Sequence, residues 1–233
     1  MIRYIVFDTE TTGLDPFTGD KIIEIGCVEM FDKVITGKTY HQYVNPEKQL
    51  SQEIVDITHI TDDELKDKPV FKDIAQDFLN FINEKPTGID KNVLVAHNAS
   101  FDIKFLNHEL KTAGFNNLLG FEVIDTLDIA RRKFPNQKAT LDMLCGKFGI
   151  SLEERRKEGH GALLDAKILA DVFIKLMEGN QSLDVSRDDN IDFIGFKKRT
   201  EVLQARKIYE LTEQEKQARQ KFLEDNQFLD FNL

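Results

Sequence analysis

Residues 4–14 read YIVFDTETTGL, and in them a nearly all-apolar run, Tyr4-Ile5-Val6-Phe7, passes directly into Asp8 and Glu10. Successive side chains of a β-strand alternate faces, so the two acids point the same way from the end of a segment that reads as buried. Any fold this chain adopts must hold two like charges side by side and compensate them, because uncompensated carboxylates are costly to bury. The D-x-E spacing alone carries little, since it recurs at Asp62-Asp63-Glu64 in what reads as a solvated helix start. Position at the end of a buried strand is what sets Asp8 and Glu10 apart. The competing reading of such acids is a structural ion pair or a helix cap.

Around this strand, residues 2–8, 21–30 and 34–44 read as an antiparallel meander, punctuated by Gly13, Pro16 and Gly19 and then by Phe31-Asp32-Lys33. From Glu53 the signals turn helical. Val70, Ile74, Phe78, Leu79 and Ile82 fall at helical spacing, and NVLVAH follows as a short buried strand. The stretch from Asn98 to Gly114 predicts a helix capped by Asn98 or Ser100. A strand at FEVIDT then leads into helices over 126–133, 140–148 and 162–177. Three strands followed by alternating helices and strands predict an α/β fold with a mixed sheet, antiparallel meander plus parallel strands, and helices on both faces. Within the 233 residues, 1–178 form the expected domain, 179–199 a polar linker and 200–233 a C-terminal segment with a helix near Thr212 to Asp225.

Asp165 raises the same electrostatic problem from another element. On the helix starting near Ala162, Ile168, Leu169, Val172 and Leu176 share one face, and Asp165 lies on that face one turn earlier. Acids at a helix N-terminus are favoured by the helix dipole but normally point to solvent. Asp102 repeats the pattern, with Phe105 and Leu106 following at i+3 and i+4. Asp8, Glu10, Asp102 and Asp165 cannot sit together as bare anions, because like charges at close range drive protonation or unfolding. Divalent cations resolve the conflict. Oxygen ligands without a Cys or His cluster favour Mg²⁺ or Mn²⁺, and two such ions about 4 Å apart suit displacement at phosphorus by water.

A base for that water is still required, and histidine titrates in the right range. His97 lies five residues before Asp102 and His160 five before Asp165, so spacing does not choose between them. His97 closes a buried strand and reads as a satisfied structural histidine. His160 sits between Gly159 and Gly161 on a loop after the charged run EERRKE, and it is the expected base. His41, His59 and His108 read as surface or loop residues.

The order D-x-E, then HNASFD, then HGALLDA closely resembles the DEDDh family of 3′–5′ exonucleases, which have a ribonuclease-H-like fold. Within it, the proofreading subunits of bacterial DNA polymerase III are most similar. The resemblance covers about residues 1–178 through FDTETTGL, DKPVF, HNASFDI, VIDTLDIAR, FP, LDMLC and HGALLDA. It implies Asp8, Glu10, Asp102 and Asp165 as metal-binding acids for two Mg²⁺ or Mn²⁺ ions, His160 as general base, and Glu53 and Thr58 as contacts to the terminal nucleotide. The substrate-binding set is then Asp8, Thr9, Glu10, Glu53, Thr58 and Asp165, with Thr11 and Thr12 expected to help hold the departing nucleotide. The substrate implied is a single-stranded or frayed DNA 3′ end. The partner is the polymerase III catalytic subunit, held by the C-terminal segment, in a cytoplasmic, nucleoid-associated replisome. The stretch Asn180 to Val185 aligns with a sliding-clamp peptide, with Leu183 and Val185 able to fill an apolar groove, and it reads equally as plain linker.

The formal net charge of −10 opposes binding to nucleic acid, so affinity must come from cations, local basic groups or another protein. No run approaches the roughly 18 apolar residues of a membrane span. The N-terminus lacks a secretory pattern, and two cysteines, Cys27 and Cys145, suit a reducing cytoplasm. A free-standing exonuclease acting on RNA or repair intermediates, and a mainly structural tether of polymerase and clamp, are the alternative functions.

Overall fold

A computed structural model describes residues 1–116, 118 and 120–178. The linker read at 179–199, the peptide at 180–185 and the segment 200–233 lie outside the described residues. The elements in chain order are β1 (Ile2–Thr11), β2 (Ile22–Phe31), β3 (Val34–Tyr43), α1 (Gln52–Thr58), α2 (Asp62–Leu65), α3 (Phe71–Asn83), β4 (Lys91–Ala96), α4 (Ala99–Thr112), β5 (Glu122–Asp125), α5 (Thr126–Lys133), α6 (Leu141–Phe148), α7 (Glu153–Glu158) and α8 (Ala162–Met177). The strands form one sheet in the order β3-β2-β1-β4-β5. β1–β2 and β2–β3 are antiparallel, whereas β1–β4 and β4–β5 are parallel, giving the expected mixed sheet.

The period of two along β1 divides the core. Ile5 and Phe7 pack with Ile74 and Phe78 of α3 and Phe105 and Leu106 of α4. Tyr4 and Val6 pack on the other face with Ala166, Leu169 and Phe173 of α8. Asp8 and Glu10 continue the even-numbered face and therefore project toward α8. Pairing of β1 with β4 ends at Val6 opposite Val95, while pairing with β2 continues to Thr11 opposite Ile22. The acid-bearing end of β1 thus extends past its parallel neighbour, at the carboxyl end of the strands where open α/β sheets receive ligands.

Two contacts fix the elements that matter for the site. Gly26 of β2 lies opposite Asp8, and a methyl group there would stand 2.2 Å from Leu163 N and 2.3 Å from the Ala162 carbonyl carbon. Backbone of α8 rests directly on backbone of β2. The second contact is electrostatic: buried Arg3 pairs with Glu29 and donates to the carbonyl of Glu84 at 3.1 Å, tying the start of β1 to the end of α3.

Three details depart from the sequence reading. β1 runs through its acids to Thr11 rather than ending at residue 8, because β2 satisfies its backbone groups regardless of side-chain charge. EERRKE, which the sequence reading assigned to no element, is helix α7, with Glu153 and Glu154 in its first turn and Arg155, Arg156 and Lys157 in its last, a distribution that complements the helix dipole. At the start of α4, Asn98 has φ 64° and makes no side-chain cap. Asp125 caps from outside, accepting from Asn98 N at 3.0 Å, Ala99 N at 3.1 Å and Leu127 N at 2.9 Å, so one carboxylate serves two helices. Among the described residues no helix is long and apolar enough to cross a membrane.

Candidate active site

Carboxylates from three elements converge at the end of β1. Asp8 and Glu10 are half-buried. Asp102, in the first turn of α4, is 2% exposed, and Asp165, in the first turn of α8, is 4% exposed. Asp102 Oδ1 accepts from Thr9 N at 3.1 Å and Thr9 Oγ1 at 2.7 Å, so the residue between the two strand acids fixes the third. Glu10, His160 and Asp165 each offer a ligand atom within 4.8 Å of the others. Asp8 and Asp102 lie outside that trio of atoms but share its electrostatics.

Each of these acids is pushed toward its neutral form. Burial is the first cause for Asp8, followed by the charges of Asp102, Glu10 and Asp165. Burial, then Asp165, Glu24 and Asp102, raise Glu10 to about 8. Burial raises Asp102 to about 7 against the opposing hydrogen bonds from Thr9. Asp165 is raised by burial and partly restored by Arg155. Such a cluster is destabilising when bare and calls for cations.

One internal cation is already there. Arg155, near the middle of α7, donates from Nη2 to Asp165 Oδ2 at 2.7 Å and to His160 Nδ1 at 2.9 Å. Its Nε stands 2.7 Å from Asp165 Oδ1, close enough to pair but not aligned for a hydrogen bond, so both atoms are buried without a hydrogen-bond partner. Its Nη1 donates to Asp142 of α6. Sequence reasoning missed Arg155. The available signal was its i,i+3 relation to Leu152, which packs on the core cluster containing Leu144 and Ile168 and so turns that side of α7 inward.

His160 is half-buried, with Nδ1 3.6 Å from Asp165 Oδ2. Burial, then Arg155, lower its pKa and favour the neutral ring. A guanidinium can only donate, so Nδ1 is the unprotonated nitrogen in this arrangement. The loop that carries it is tethered: His160 N donates to the Ile57 carbonyl at 3.2 Å, and Gly159, with φ 84°, lies under the His59 ring. Glu24 anchors it from below, accepting from Ala162 N at 3.0 Å and pairing with His41 Nε2 at 2.7 Å. Glu24 and His41 were not singled out by the sequence. His97 contacts Thr126 Oγ1 at 2.9 Å, away from the carboxylates.

The remaining candidates offer no atom to the Glu10, His160 and Asp165 group. Thr58 is buried, with its hydroxyl donating to the Ile54 carbonyl at 2.9 Å and accepting from Ile60 N at 3.2 Å. Glu53 is exposed in the first turn of α1. The hydroxyls of Thr11 and Thr12, in the turn expected to help hold the departing nucleotide, donate to the Gly13 carbonyl at 2.7 Å and to Asp20 Oδ1 at 3.3 Å, since buried hydroxyls need partners. Asp62, Asp63 and Glu64 are exposed at the start of α2, where Glu64 accepts from Thr61 N at 2.8 Å.

The donor set suits a hard divalent cation. It is dominated by carboxylate oxygens, it holds more negative charge than one guanidinium neutralises, and Asp165 Oδ1 is a buried acceptor lacking a hydrogen bond. A cleft of about 540 Å³ opens beside it, lined by Asp142, Leu152, Arg155 and His160 among others.

A family model described as an exonuclease, of the RNase T type, matches residues 5–173. The DNA polymerase III subunit epsilon of Rickettsia prowazekii is 45% identical over 201 residues, covering 84% of each chain. Exonuclease X in complex with 5′ overhanging duplex DNA is similar in structure, with TM-score 0.57 and 28% identity over 76% of this chain and 91% of that one. The nuclease domain of 3′hExo, a DEDDh family member, shares the fold with TM-score 0.63 at 23% identity, covering 76% and 90% of the two chains.

Proposed function

This chain belongs to the RNase T-type exonuclease family, and on that premise we propose that it is the proofreading epsilon subunit of a bacterial DNA polymerase III, a 3′–5′ exonuclease that releases nucleoside 5′-monophosphates from single-stranded or frayed DNA ends. The convergence of Asp8, Glu10, Asp102 and Asp165 from β1, α4 and α8 beside a neutral histidine carries this reading. The family uses divalent metal. When bound, two Mg²⁺ or Mn²⁺ ions would activate the attacking water and stabilise the departing 3′-oxygen.

The protein's own groups have distinct tasks. The four carboxylates would hold the cations, and Thr9 keeps the Asp102 carboxylate turned to the cluster. His160 accepts the proton of the attacking water, a role that its lowered pKa favours at neutral pH. Glu53 and Thr58, on α1 beside the His160 loop, would contact the terminal nucleotide. Preference for a mismatched end follows from fraying, since an unpaired terminus costs less to bring to the site. Residues 200–233 attach the catalytic subunit of the polymerase, and Asn180, Leu183 and Val185 contribute to a clamp-binding peptide.

The test is a 5′-labelled single-stranded oligonucleotide incubated with the full chain and Mg²⁺ or Mn²⁺. Stepwise shortening from the 3′ end is expected, with none for a folded Asp8→Ala variant. Undiminished shortening by that variant would refute the site assignment. Co-purification with the polymerase catalytic subunit, lost on truncation at Gly179, tests the attachment.

A further inference from the structure

We propose that Arg155 is an internal competitor of the divalent cation: its guanidinium engages both Asp165 and His160 in the metal-free protein and must leave them before the site can work, with Asp142 receiving it. This rests on the metal-dependent exonuclease reading above and adds to it a residue that sets how readily metal is taken up.

The geometry places one side chain across two groups with separate tasks. Arg155 is 11% exposed, and its Nε and Nη2 both reach Asp165 while Nη2 also covers the acceptor nitrogen of His160. The atom that would take a proton from water is thereby occupied, and so is the carboxylate that would hold metal. A guanidinium and a divalent cation compete for that carboxylate, because each is drawn to its charge and the two repel each other at that range.

The route of release is also present. Asp142 on α6 already accepts from Arg155 Nη1, and its side chain is 60% exposed on the outer side of the cleft. A rotation about the Arg155 side chain would surrender the Asp165 contacts while keeping the one to Asp142, with no movement of α8. Apparent metal affinity is then the intrinsic affinity reduced by the fraction of molecules in which the guanidinium has left. Arg155 is a positioning residue in this scheme, acting through Asp165 and His160.

The experiment is calorimetric titration of the full chain with Mn²⁺ alone, at fixed pH and ionic strength, for wild type, Arg155→Gln, Asp142→Asn and the double variant. Arg155→Gln should bind Mn²⁺ at least about fivefold more tightly, in the usual range of coupling between two ligands of one site. Asp142→Asn should weaken binding in the wild-type background and have a smaller effect once Arg155 is gone, since most of its influence passes through the guanidinium and only its direct charge on Asp165 remains. Equal or weaker affinity of Arg155→Gln would overturn the proposal, as would an undiminished effect of Asp142→Asn in the double variant. If Arg155→Gln does not fold, Arg155→Lys carries the test: an ammonium lacks the fork that spans Asp165 and His160, so affinity should rise by a smaller factor, and unchanged affinity counts against the proposal. Failure of wild type and every variant to bind Mn²⁺ would remove the metal reading and this proposal together, whereas tight wild-type binding with no change on Arg155 substitution removes only the competitor.

Discussion

Substituting Glu10 by its neutral isostere should stabilise the metal-free protein at neutral pH while abolishing its activity. The Glu10 carboxyl is raised from 4.5 to about 8, first by burial and then by Asp165, Glu24 and Asp102. A carboxyl whose folded pKa lies above its unfolded value holds its proton longer in the native state. The native state therefore binds more protons between those limits, and stability falls as pH rises through them. For this single group the loss is about 1 kcal/mol at pH 5 and about 3 kcal/mol at pH 7. Gln cannot titrate, so Glu10→Gln should lose this part of the slope. Asp8, Asp102 and Asp165 titrate with Glu10 as one cluster, so a shallower slope remains. The assay is thermal unfolding in EDTA from pH 5 to 8. Wild type should drop by about 4–8 °C more than Glu10→Gln between pH 5 and 7, taking about 2–4 °C per kcal/mol for a chain of this size. Mg²⁺ should restore wild type and leave the variant little changed. Parallel pH profiles in EDTA would refute the premise that Glu10 shares a desolvated site with like charges.

Gly26→Ala should cost about 1–3 kcal/mol as an overpacking change, and it should reduce exonuclease activity at temperatures where the variant is fully folded, because α8 must shift and carry Asp165 with it; full activity in the folded variant would contradict this. The acid limb of the pH–rate profile should have its midpoint below the ordinary histidine value of 6.5, with activity rising as His160 loses its proton, and His160→Gln should lower the rate about 10²–10⁴-fold and abolish that limb. An unchanged acid limb in that variant would assign the base elsewhere. Arg3→Ala should destabilise by about 3–5 kcal/mol in urea titrations, since Glu29 is left buried and unpaired, with little change in activity per folded molecule.

The sequence disclosed whatever followed from periodicity. Alternation along β1 put Asp8 and Glu10 on one face, and the stripe from Asp165 to Leu176 turned that acid inward. What stayed hidden depended on contacts between elements distant in the chain. Arg155 sits in a run of charges that composition cannot distinguish from a solvated surface, and packing of Leu152 on the core beside Leu144 and Ile168 turns it inward. Glu24 looked like one more polar residue of a strand, yet it caps a helix whose N-terminus is 138 residues away. Asp125 replaced the expected caps of α4 for the same reason: a carboxylate at the end of a parallel strand reaches the next helix start more directly than Asn98 can in its left-handed conformation.

The contact at Gly26 bears on how this site could change its choice of ion. Asp8 stands across the strand pair from Gly26, and the first turn of the Asp165 helix lies against it, so backbone packs on backbone at the strand side of the site. At Gly26 itself the smallest available step is a whole methyl group, which the packed backbones do not admit. Drift or engineering toward a larger or smaller cation would therefore have to act on the wall formed by α7 and its loop, leaving the strand side of the site at a constant dimension.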